Sequence, residues 1–271
     1  MYNKKVQIWG FVHRRRWRCV AFLVVFMLGT AGGTCWAVFF RTVASPVSLR
    51  DALRLYRRDQ LGGSVGLQQS RPLSPGVYSY QTSGGESLSL LGVARSFPRH
   101  TNMVVTDGSN SCSAVLWLPI VQHTEMTTAC PSTDGSFVVS DLVTHEQISG
   151  STTTSVIDCS ATTYLIPPHA APGVRWTATC HVVSPSENVA VTGSVLGASM
   201  IDVGGHLVST LHIRLVLVFA GIERGTVPTD FWISTSNGLI VRERELATIT
   251  QQGVHYKEQM DTELTSLIPA T

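Results

Sequence analysis

The sequence has no acidic residue in its first 50 positions and few charged residues overall, 14% of the chain. Those 50 positions hold eight Lys or Arg, which leaves 12 bases and all 18 acids for positions 51–271, a net charge of −6 there. This larger part is mildly acidic and offers no basic face of the kind that nucleic acids require. We therefore expect no nucleic-acid partner.

Motifs that commit a chain to a chemistry are also missing. No two cysteines have the spacing of a zinc knuckle. The run Gly62-Gly63-Ser64-Val65-Gly66 has the spelling of a nucleophile elbow, but it lies in a spacer rich in Gly, Ser, Gln and Pro, where the strand and helix that such an elbow needs are not expected. The sequence predicts no enzyme, no catalytic residue, no cofactor and no metal site.

One long uncharged run is present, the 22 residues from Cys19 to Phe40. Its length suits a helix that crosses the hydrocarbon core of a membrane. Four bases precede the run and two tryptophans border it, as at a cytoplasmic flank and at membrane interfaces: Arg14, Arg15, Arg16, Arg18, Trp17 and Trp36. A cleaved signal peptide is the alternative, but the length and the bulky end Val38-Phe39-Phe40 favour a retained anchor.

These signals divide the chain into four parts. Residues 1–18 are predicted to be a short basic cytoplasmic segment, and residues 19–40 the single transmembrane helix in the cell membrane. Residues 41–75 are predicted to hold an amphipathic helix that starts near Ser48-Leu49-Arg50-Asp51, and then a flexible spacer. The arginines of this helix would face lipid head groups or solvent. Residues 76–271 are predicted to be an extracytoplasmic domain rich in β-structure.

Four cysteines of this domain are placed symmetrically about turn-rich midpoints. Cys112 and Cys130 are equidistant from Val121, and Cys159 and Cys180 are symmetric about His169 and Ala170, inside Pro167–Gly173. Residues equidistant from the turn of an antiparallel hairpin face each other, which predicts disulfides between Cys112 and Cys130 and between Cys159 and Cys180. Four buried free thiols are the alternative. Disulfides would place the domain outside the cytoplasm.

Alternation with a period of two predicts strands in most of the domain. It is clear from Val174 to Val182 and in a long segment, Leu207 to Phe219, of about 13 residues or ~43 Å. Gly204-Gly205, Asn237-Gly238 and Asp134-Gly135 predict hairpin turns. Only Ser87 to Arg95 suits a short helix equally well. A strand so long, with one face that is apolar apart from Ser209, favours a curved antiparallel sheet that wraps around something.

Two stretches resemble known proteins. Asp230-Phe231-Trp232-Ile233-Ser234 through Asn237-Gly238-Leu239-Ile240-Val241-Arg242 is similar to a hairpin of the periplasmic lipoprotein-carrier type of half-barrel. This resemblance implies a curved antiparallel sheet, like a half-barrel, around an apolar cavity. The segment from Pro75 to Cys130 resembles uncharacterised membrane-anchored proteins of actinobacteria. That resemblance implies a location and a fold but no activity.

Several polar pairs are candidates for chemistry. On a strand, His123 and Glu125 share a face and could hold a metal ion or act as an acid and base, and His145 is next to Glu146. We interpret them as exposed polar strand residues. Glu243 and Glu245 also share a strand face, and we interpret the run Arg242-Glu243-Arg244-Glu245 as a solvated edge that discourages aggregation.

The favoured function is therefore a non-enzymatic binding domain at the outer face of the membrane. Its ligand would be a lipid, a lipoprotein segment or another envelope component. The predicted cavity lining consists of Trp176, Leu211, Ile213, Leu215, Leu217, Phe219 and Trp232. Trp117 is a further aromatic candidate, although tryptophans of this kind are more often core. The alternatives are a structural or scaffolding subunit of a membrane protein complex and, third, an envelope hydrolase.

Overall fold

A computed structural model describes residues 44–62, 73–89, 92–108, 111–148, 151–184 and 186–271. The predicted basic segment, the predicted membrane span Cys19–Phe40, most of the Gly-rich spacer and the Ser of the elbow-like run lie outside the described residues. Within the described ranges, none of the helices has the length and apolar character needed to cross a membrane.

The described residues form one helix and fourteen strands. The helix α1 runs from Leu49 to Gly62. The strands are β1 Gly76–Leu88, β2 Val93–Ser96, β3 His100–Asp107, β4 Ser113–Ile120, β5 His123–Pro131, β6 Phe137–Ile148, β7 Ser151–Cys159, β8 Tyr164–Ile166, β9 Arg175–Val182, β10 Glu187–Val203, β11 His206–Ala220, β12 Glu223–Ser234, β13 Ile240–Gln251 and β14 Val254–Leu264.

The strands build one mainly antiparallel sheet that closes on itself. Neighbours follow the order β1-β3-β4-β5-β6-β7-β9-β10-β11-β12-β13-β14, while β2 pairs with β1 and β8 pairs with β6. The circuit closes where β14 pairs with β1, from Tyr80 opposite Leu264 to Leu88 opposite Tyr256. The prediction of a mainly antiparallel curved sheet is confirmed, but the half-barrel is wrong, because the barrel is closed. Closure pairs the first strand of the circuit with the last. In an open sheet the backbone N–H and C=O groups along these two edges would be exposed.

Turn chemistry is where sequence and structure agree best. Gly204 and Gly205 both have positive φ, 59° and 87°, in the two-residue turn between β10 and β11. Gly238 and Gly135 also have positive φ, in the turns that follow β12 and β5. The segment Ser87–Arg95, for which a helix was the alternative, ends β1 and begins β2.

Both predicted disulfides are present. Cys112 is bonded to Cys130 beside the β4–β5 hairpin, and Cys159 is bonded to Cys180 across β7 and β9. The second bond lies at the shortest strand pairing of the circuit, because β7 and β9 pair over only three residues, from Ile157 to Cys159. The two disulfides favour an extracytoplasmic location.

Near the amino-terminal end of the long strand β11, the buried face is not the one that the alternation predicts. Ile213 and Phe219 are buried as the alternation predicts, but Leu207, on the same face, is 69% exposed. Val208 and Thr210 are buried on the other face. The change follows a bulge at Leu196 in the neighbouring β10, which breaks the register between Val195 and Gly197, and bulges bend and twist a sheet locally.

Helix α1 begins at the predicted position. The side chain and backbone of Ser48 both interact with Asp51, as expected of an N-terminal cap. Ala52 is fully buried and belongs to a cluster with Val77, Val104 and Leu118 of the barrel wall. The apolar face of the helix therefore packs on the barrel, and its four arginines are exposed.

Candidate functional site

The barrel encloses a cavity of about 550 Å³. One part of its wall, the apolar region, comprises Leu142, Ile157, Val191, Leu215, Leu217 and Phe219. A second part, the acidic region, comprises His123, Glu125, Glu146, Glu243, Glu245, Tyr256 and Glu258. A cavity that combines apolar walls with a few converging polar groups is the usual form of a ligand site.

Strand alternation places the acidic side chains inside the barrel. Glu243 and Glu245 of β13 are two residues apart and therefore point to the same side of the sheet, as do His123 and Glu125 of β5. Both pairs line the cavity. The interpretation of Glu243 and Glu245 as a solvated edge is wrong, because β13 is paired on both sides, with β12 and with β14.

His123 is the centre of the acidic region. It is 2% exposed, its Nδ1 lies 2.9 Å from Glu86 Oε2, and its Nε2 lies 3.0 Å from Glu125 Oε1. Glu258 Oε2 is 3.8 Å from Nδ1. The interpretation of His123 as an exposed strand residue is therefore wrong, since the imidazole is enclosed by three carboxylates.

Two further side chains, Arg95 and Tyr256, contact the carboxylates around His123. Arg95 Nη2 lies 2.5 Å from Glu86 Oε1, and neither side chain is exposed. The Tyr256 hydroxyl donates to Glu258 and lies 3.0 Å from Glu86 Oε2. Glu86 thus has polar contacts on three sides, with the imidazole of His123, the hydroxyl of Tyr256 and the guanidinium of Arg95.

Burial and mutual repulsion raise the pKa of most of these carboxyls. Burial, with the charges of Glu125 and Glu258, raises the pKa of Glu243 to about 8. Burial also raises the pKa of Glu258 to about 7, although His123 acts against it, and the pKa of Glu245 is raised well above its usual range for similar reasons. The acidic region therefore holds protons at neutral pH, unlike ordinary surface carboxylates.

His123 and Glu86 shift the other way, towards their charged forms. Burial opposes a charge on His123, but Glu258, Glu125 and Glu86 together raise the pKa of the imidazole well above its ordinary value. Burial likewise opposes a charge on Glu86, but His123 and Arg95 outweigh it and lower the pKa of this carboxyl. Among the described residues, the cationic side chains that contact this region are Arg95 and His123. The carboxyls of the region and its surroundings are those of Glu86, Glu125, Glu146, Glu243, Glu245 and Glu258.

The same side chains include sets with the spacing of metal ligands. Ligand atoms of Glu86, His123 and Glu258 lie within 4.8 Å of one another, and so do those of Glu125, Glu245 and Glu258. Carboxylate oxygen and imidazole nitrogen are ligands that divalent metal ions accept.

The predicted cavity-lining residues are placed in three settings. Leu215, Leu217 and Phe219 line the cavity. Leu211, Ile213 and Trp176 pack in an adjoining apolar cluster with Val195 and Ile233, and Trp176 comes so close to Gly193 that a Cβ there would lie 2.0 Å from the indole. Trp232 follows the cavity-lining Phe231 and thus lies on the opposite face, stacked on His212 at 4.2 Å between ring centroids.

Trp117 also lines the cavity, with its indole nitrogen 3.2 Å from Met260 Sδ. His145 and Glu146, adjacent in the sequence, point to opposite faces of β6. His145 contacts Thr154 in an exposed position, whereas Glu146 lines the cavity. This pair therefore forms no site.

Sequence reasoning missed Glu86, Arg95, Tyr256 and Glu258. A signal was present for the last two, because Tyr256, Glu258 and Met260 alternate along β14, so a strand assignment would have placed them on one face with a buried methionine. For Glu86 and Arg95 the sequence contained no comparable signal, because this pair depends on β1 meeting both β2 and β14.

Comparison with known proteins adds little. No model of a protein family matches the chain, and no curated protein matches its sequence. Among solved structures, the chain is similar to the hypothetical lipoprotein YmcC of Escherichia coli K12, with 14% identity over 83% of this chain and 99% of that chain and a TM-score of 0.36. A likeness this weak supports no conclusion about function, and the resemblances to carrier proteins and to actinobacterial membrane-anchored proteins remain predictions.

Proposed function

We propose that the chain is a non-enzymatic binding protein of the cell envelope that holds an apolar molecule or an acyl chain inside its barrel. The observation that carries this proposal is the cavity of about 550 Å³ with its continuous apolar region. Burial of apolar ligand surface there contributes roughly 25 cal/mol per Å². A lipid, or the acyl chain of a lipoprotein, has the apolar surface that such a wall requires.

The acidic region limits the head group of such a ligand. Its carboxyls retain protons because burial and mutual repulsion disfavour negative charge there, and the carboxylate of a fatty acid or a phosphate would be disfavoured for the same reason. The proposed ligand is therefore an amphiphile with an uncharged or cationic polar end. Its polar end would lie at the acidic region and its tail along Leu217 and Phe219.

The location is part of the proposal. The segment Cys19–Phe40 would hold the protein in the cell membrane, with its amino terminus in the cytoplasm and the barrel outside. A scaffolding subunit of a membrane complex is the alternative role, and it would leave the cavity without a ligand.

The test of this proposal is to reduce the cavity with a larger side chain. Ala247 is 3% exposed and lines the cavity, whereas its neighbour Leu246 is 54% exposed on the outer face of β13. We expect the full chain and the Leu246→Phe control to bind a fluorescent long-chain alcohol, and Ala247→Phe to bind it at least about tenfold more weakly, a loss of ~1.4 kcal/mol. Equal binding by Ala247→Phe and Leu246→Phe would show that the probe binds elsewhere, and the proposal would be abandoned.

A second candidate, an envelope hydrolase, is favoured by one observation. Glu258, with a pKa of about 7, and His123 converge on the same cavity, as the acid and base of a hydrolytic site would. Mass spectrometry of small molecules extracted from the purified protein distinguishes the two. Intact amphiphile favours binding, and fragments of it favour hydrolysis.

A further inference from the structure

The chain reaches the barrel at one particular end. The backbone N–H of Ser45 donates to Gln122 Oε1 at 2.9 Å, its carbonyl accepts from the backbone N–H of Val121 at 2.8 Å, and its hydroxyl accepts from Gln122 Nε2 at 3.0 Å. These bonds attach Ser45 to the β4–β5 turn. We term this end of the barrel the entry end.

Strand directions show which other connections lie at the entry end. Successive antiparallel strands reverse direction, so the connections β6–β7, β9–β10, β11–β12 and β13–β14 share this end with β4–β5. The connections β5–β6, β10–β11 and β12–β13 lie at the opposite end, which we term the far end.

The cavity opens at the entry end. Within the part of the lining that the structure describes, the exposed residues are Thr153 and Gln251. Gln251 ends β13 and Thr153 lies near the start of β7, so both belong to the entry end. At the far end, a buried apolar cluster includes Val203, Leu239 and Leu264. The entry end is therefore the mouth of the cavity.

Three connections of the entry end expose a branched apolar side chain. Val121 is 60% exposed between β4 and β5, Val183 is 49% exposed after β9, and Ile222 is 52% exposed before β12. Exposed apolar residues are common on proteins, and the far end has them too, such as Leu207. At the entry end they share one side of the molecule with the mouth of the cavity.

Basic side chains lie beside this apolar group. Arg54 and Arg58 of helix α1 line a surface groove together with Val121. The four arginines of the helix are exposed and fall within about 100° of its circumference. With Asp51 and Asp59 the helix has a net charge of +2. Basic side chains next to exposed apolar ones are typical of surfaces that bind anionic lipid.

The predicted membrane span limits the distance between the entry end and lipid. The span ends at Phe40, and Ser45, five residues later, is bonded to the β4–β5 turn. Five residues reach at most about 18 Å when fully extended. A chain anchored by this span therefore has its entry end next to the bilayer.

We propose that the entry end lies on the surface of a bilayer that contains anionic phospholipid. Val121, Val183 and Ile222 enter the lipid interface, and the arginines of helix α1 contact the phosphate groups. The inference rests on the membrane anchor of the proposed function and deepens it. The mouth of the cavity then faces lipid, so an amphiphile passes between bilayer and barrel without crossing bulk water.

The test uses the full chain in lipid nanodiscs made of equal parts of phosphatidylcholine and phosphatidylglycerol. A nitroxide spin label, attached through p-acetylphenylalanine so that the cysteines are left alone, replaces Val121, Ile222 or, as the control at the far end, Leu207. We expect the collision rate with oxygen, relative to that with a water-soluble nickel complex, to be at least about threefold higher at positions 121 and 222 than at position 207.

A second arm tests the role of the arginines. In nanodiscs of phosphatidylcholine alone, the ratio at position 121 is expected to fall towards that at position 207, because the arginines then lack an anionic partner. An unchanged ratio would contradict the requirement for anionic lipid. Circular dichroism verifies that each labelled protein is folded, and a label in place of Val183 substitutes for one that prevents folding.

Two results would overturn the inference as a whole. Positions 121 and 222 could be as accessible to the nickel complex as position 207, which would place them in water. Their labels could instead be immobilised and reached by neither reagent, which would indicate contact with a second protein.

This failure is distinguishable from that of the proposed function. A chain that enters the nanodisc and binds the alcohol probe, but whose labels are in water, contradicts the docking of the entry end alone. Labels in the lipid interface without binding of the probe contradict only the apolar-ligand proposal. A chain that does not enter the nanodisc contradicts the anchor and, with it, the docked entry end.

Discussion

The acidic and apolar regions of the cavity wall belong to the same strands, and they differ in what each requires from its surroundings. In β13 the inward face changes from Glu245 to Ala247 within two residues, and in β6 it changes from Glu146 to Leu142 within four. The apolar side chains need only to be removed from water. The carboxyls need a cation or a proton to offset their burial: His123 and Arg95 lower the pKa of Glu86, whereas burial raises the pKa of Glu243 and Glu245 so that they retain protons.

The largest effect on stability is expected when a carboxylate is placed in the apolar region. Val191 is 1% exposed and lines the cavity, and its neighbour Thr192 is exposed on the outside. We expect Val191→Glu to lower the free energy of unfolding by about 4 kcal/mol or more, because Val191 packs in a cluster of apolar side chains that includes Val189 and Phe219, which cannot compensate a buried charge. Urea denaturation of the protein with its disulfides intact measures this free energy.

Thr192→Glu is the matched control, with an expected cost under about 1 kcal/mol because its side chain remains in water. If both variants lost the same stability, the apolar region would tolerate charge, and the division of the wall into two regions would be mistaken.

A pH series tests the acidic region itself. Burial, with the charge of Glu86, raises the pKa of Glu146 from 4.5 to about 7, and its side chain is 22% exposed. A carboxyl with a raised pKa stabilises the fold fully below pH 4.5, and this contribution is lost as the pH rises to about 7. The shift corresponds to about 3 kcal/mol as an upper value.

Glu146→Gln is therefore expected to flatten the decline in the free energy of unfolding between pH 4.5 and pH 7, measured with a chelator present. An unchanged profile in this variant would mean that Glu146 titrates normally in the folded protein. His123 acts in the same direction at higher pH, because the pKa of its imidazole is raised.

The smallest expected effect has the opposite sign to that of the first substitution. Burial raises the pKa of Glu243 to about 8, so at pH 9 the folded protein carries a buried charge that the neighbouring Glu125 and Glu258 repel. Glu243→Gln is expected to raise the free energy of unfolding at pH 9 by about 1 kcal/mol. Thermal unfolding measures the change, with Glu263→Gln as the exposed control; destabilisation by Glu243→Gln would contradict the account of the acidic region.

Local patterns predicted much of the fold and little of the site. The glycine pairs and Asn237-Gly238 predicted turns because few residues adopt positive φ. The symmetric cysteines predicted both disulfides. Closure was not predictable, because the contact between β1 and β14 joins segments about 170 residues apart and no local pattern encodes their register.

The acidic region shows the same limit. The sequence showed that His123 and Glu125 share a face and that Glu243 and Glu245 share another, but an alternating strand looks the same whether its polar face meets water or a cavity. Charged residues on strands are usually exposed, so the usual interpretation was wrong here.

The sequence by itself determined the strands, the turns, the disulfide pairs and the start of helix α1, because each depends on residues close together or on a simple period. Only the tertiary structure decided that the sheet closes, that helix α1 packs on its wall, and that carboxyls from β5, β6, β13 and β14 meet around His123. The reason is physical: strand alternation assigns a side chain to a face, and only the pairing of distant strands decides what that face encloses.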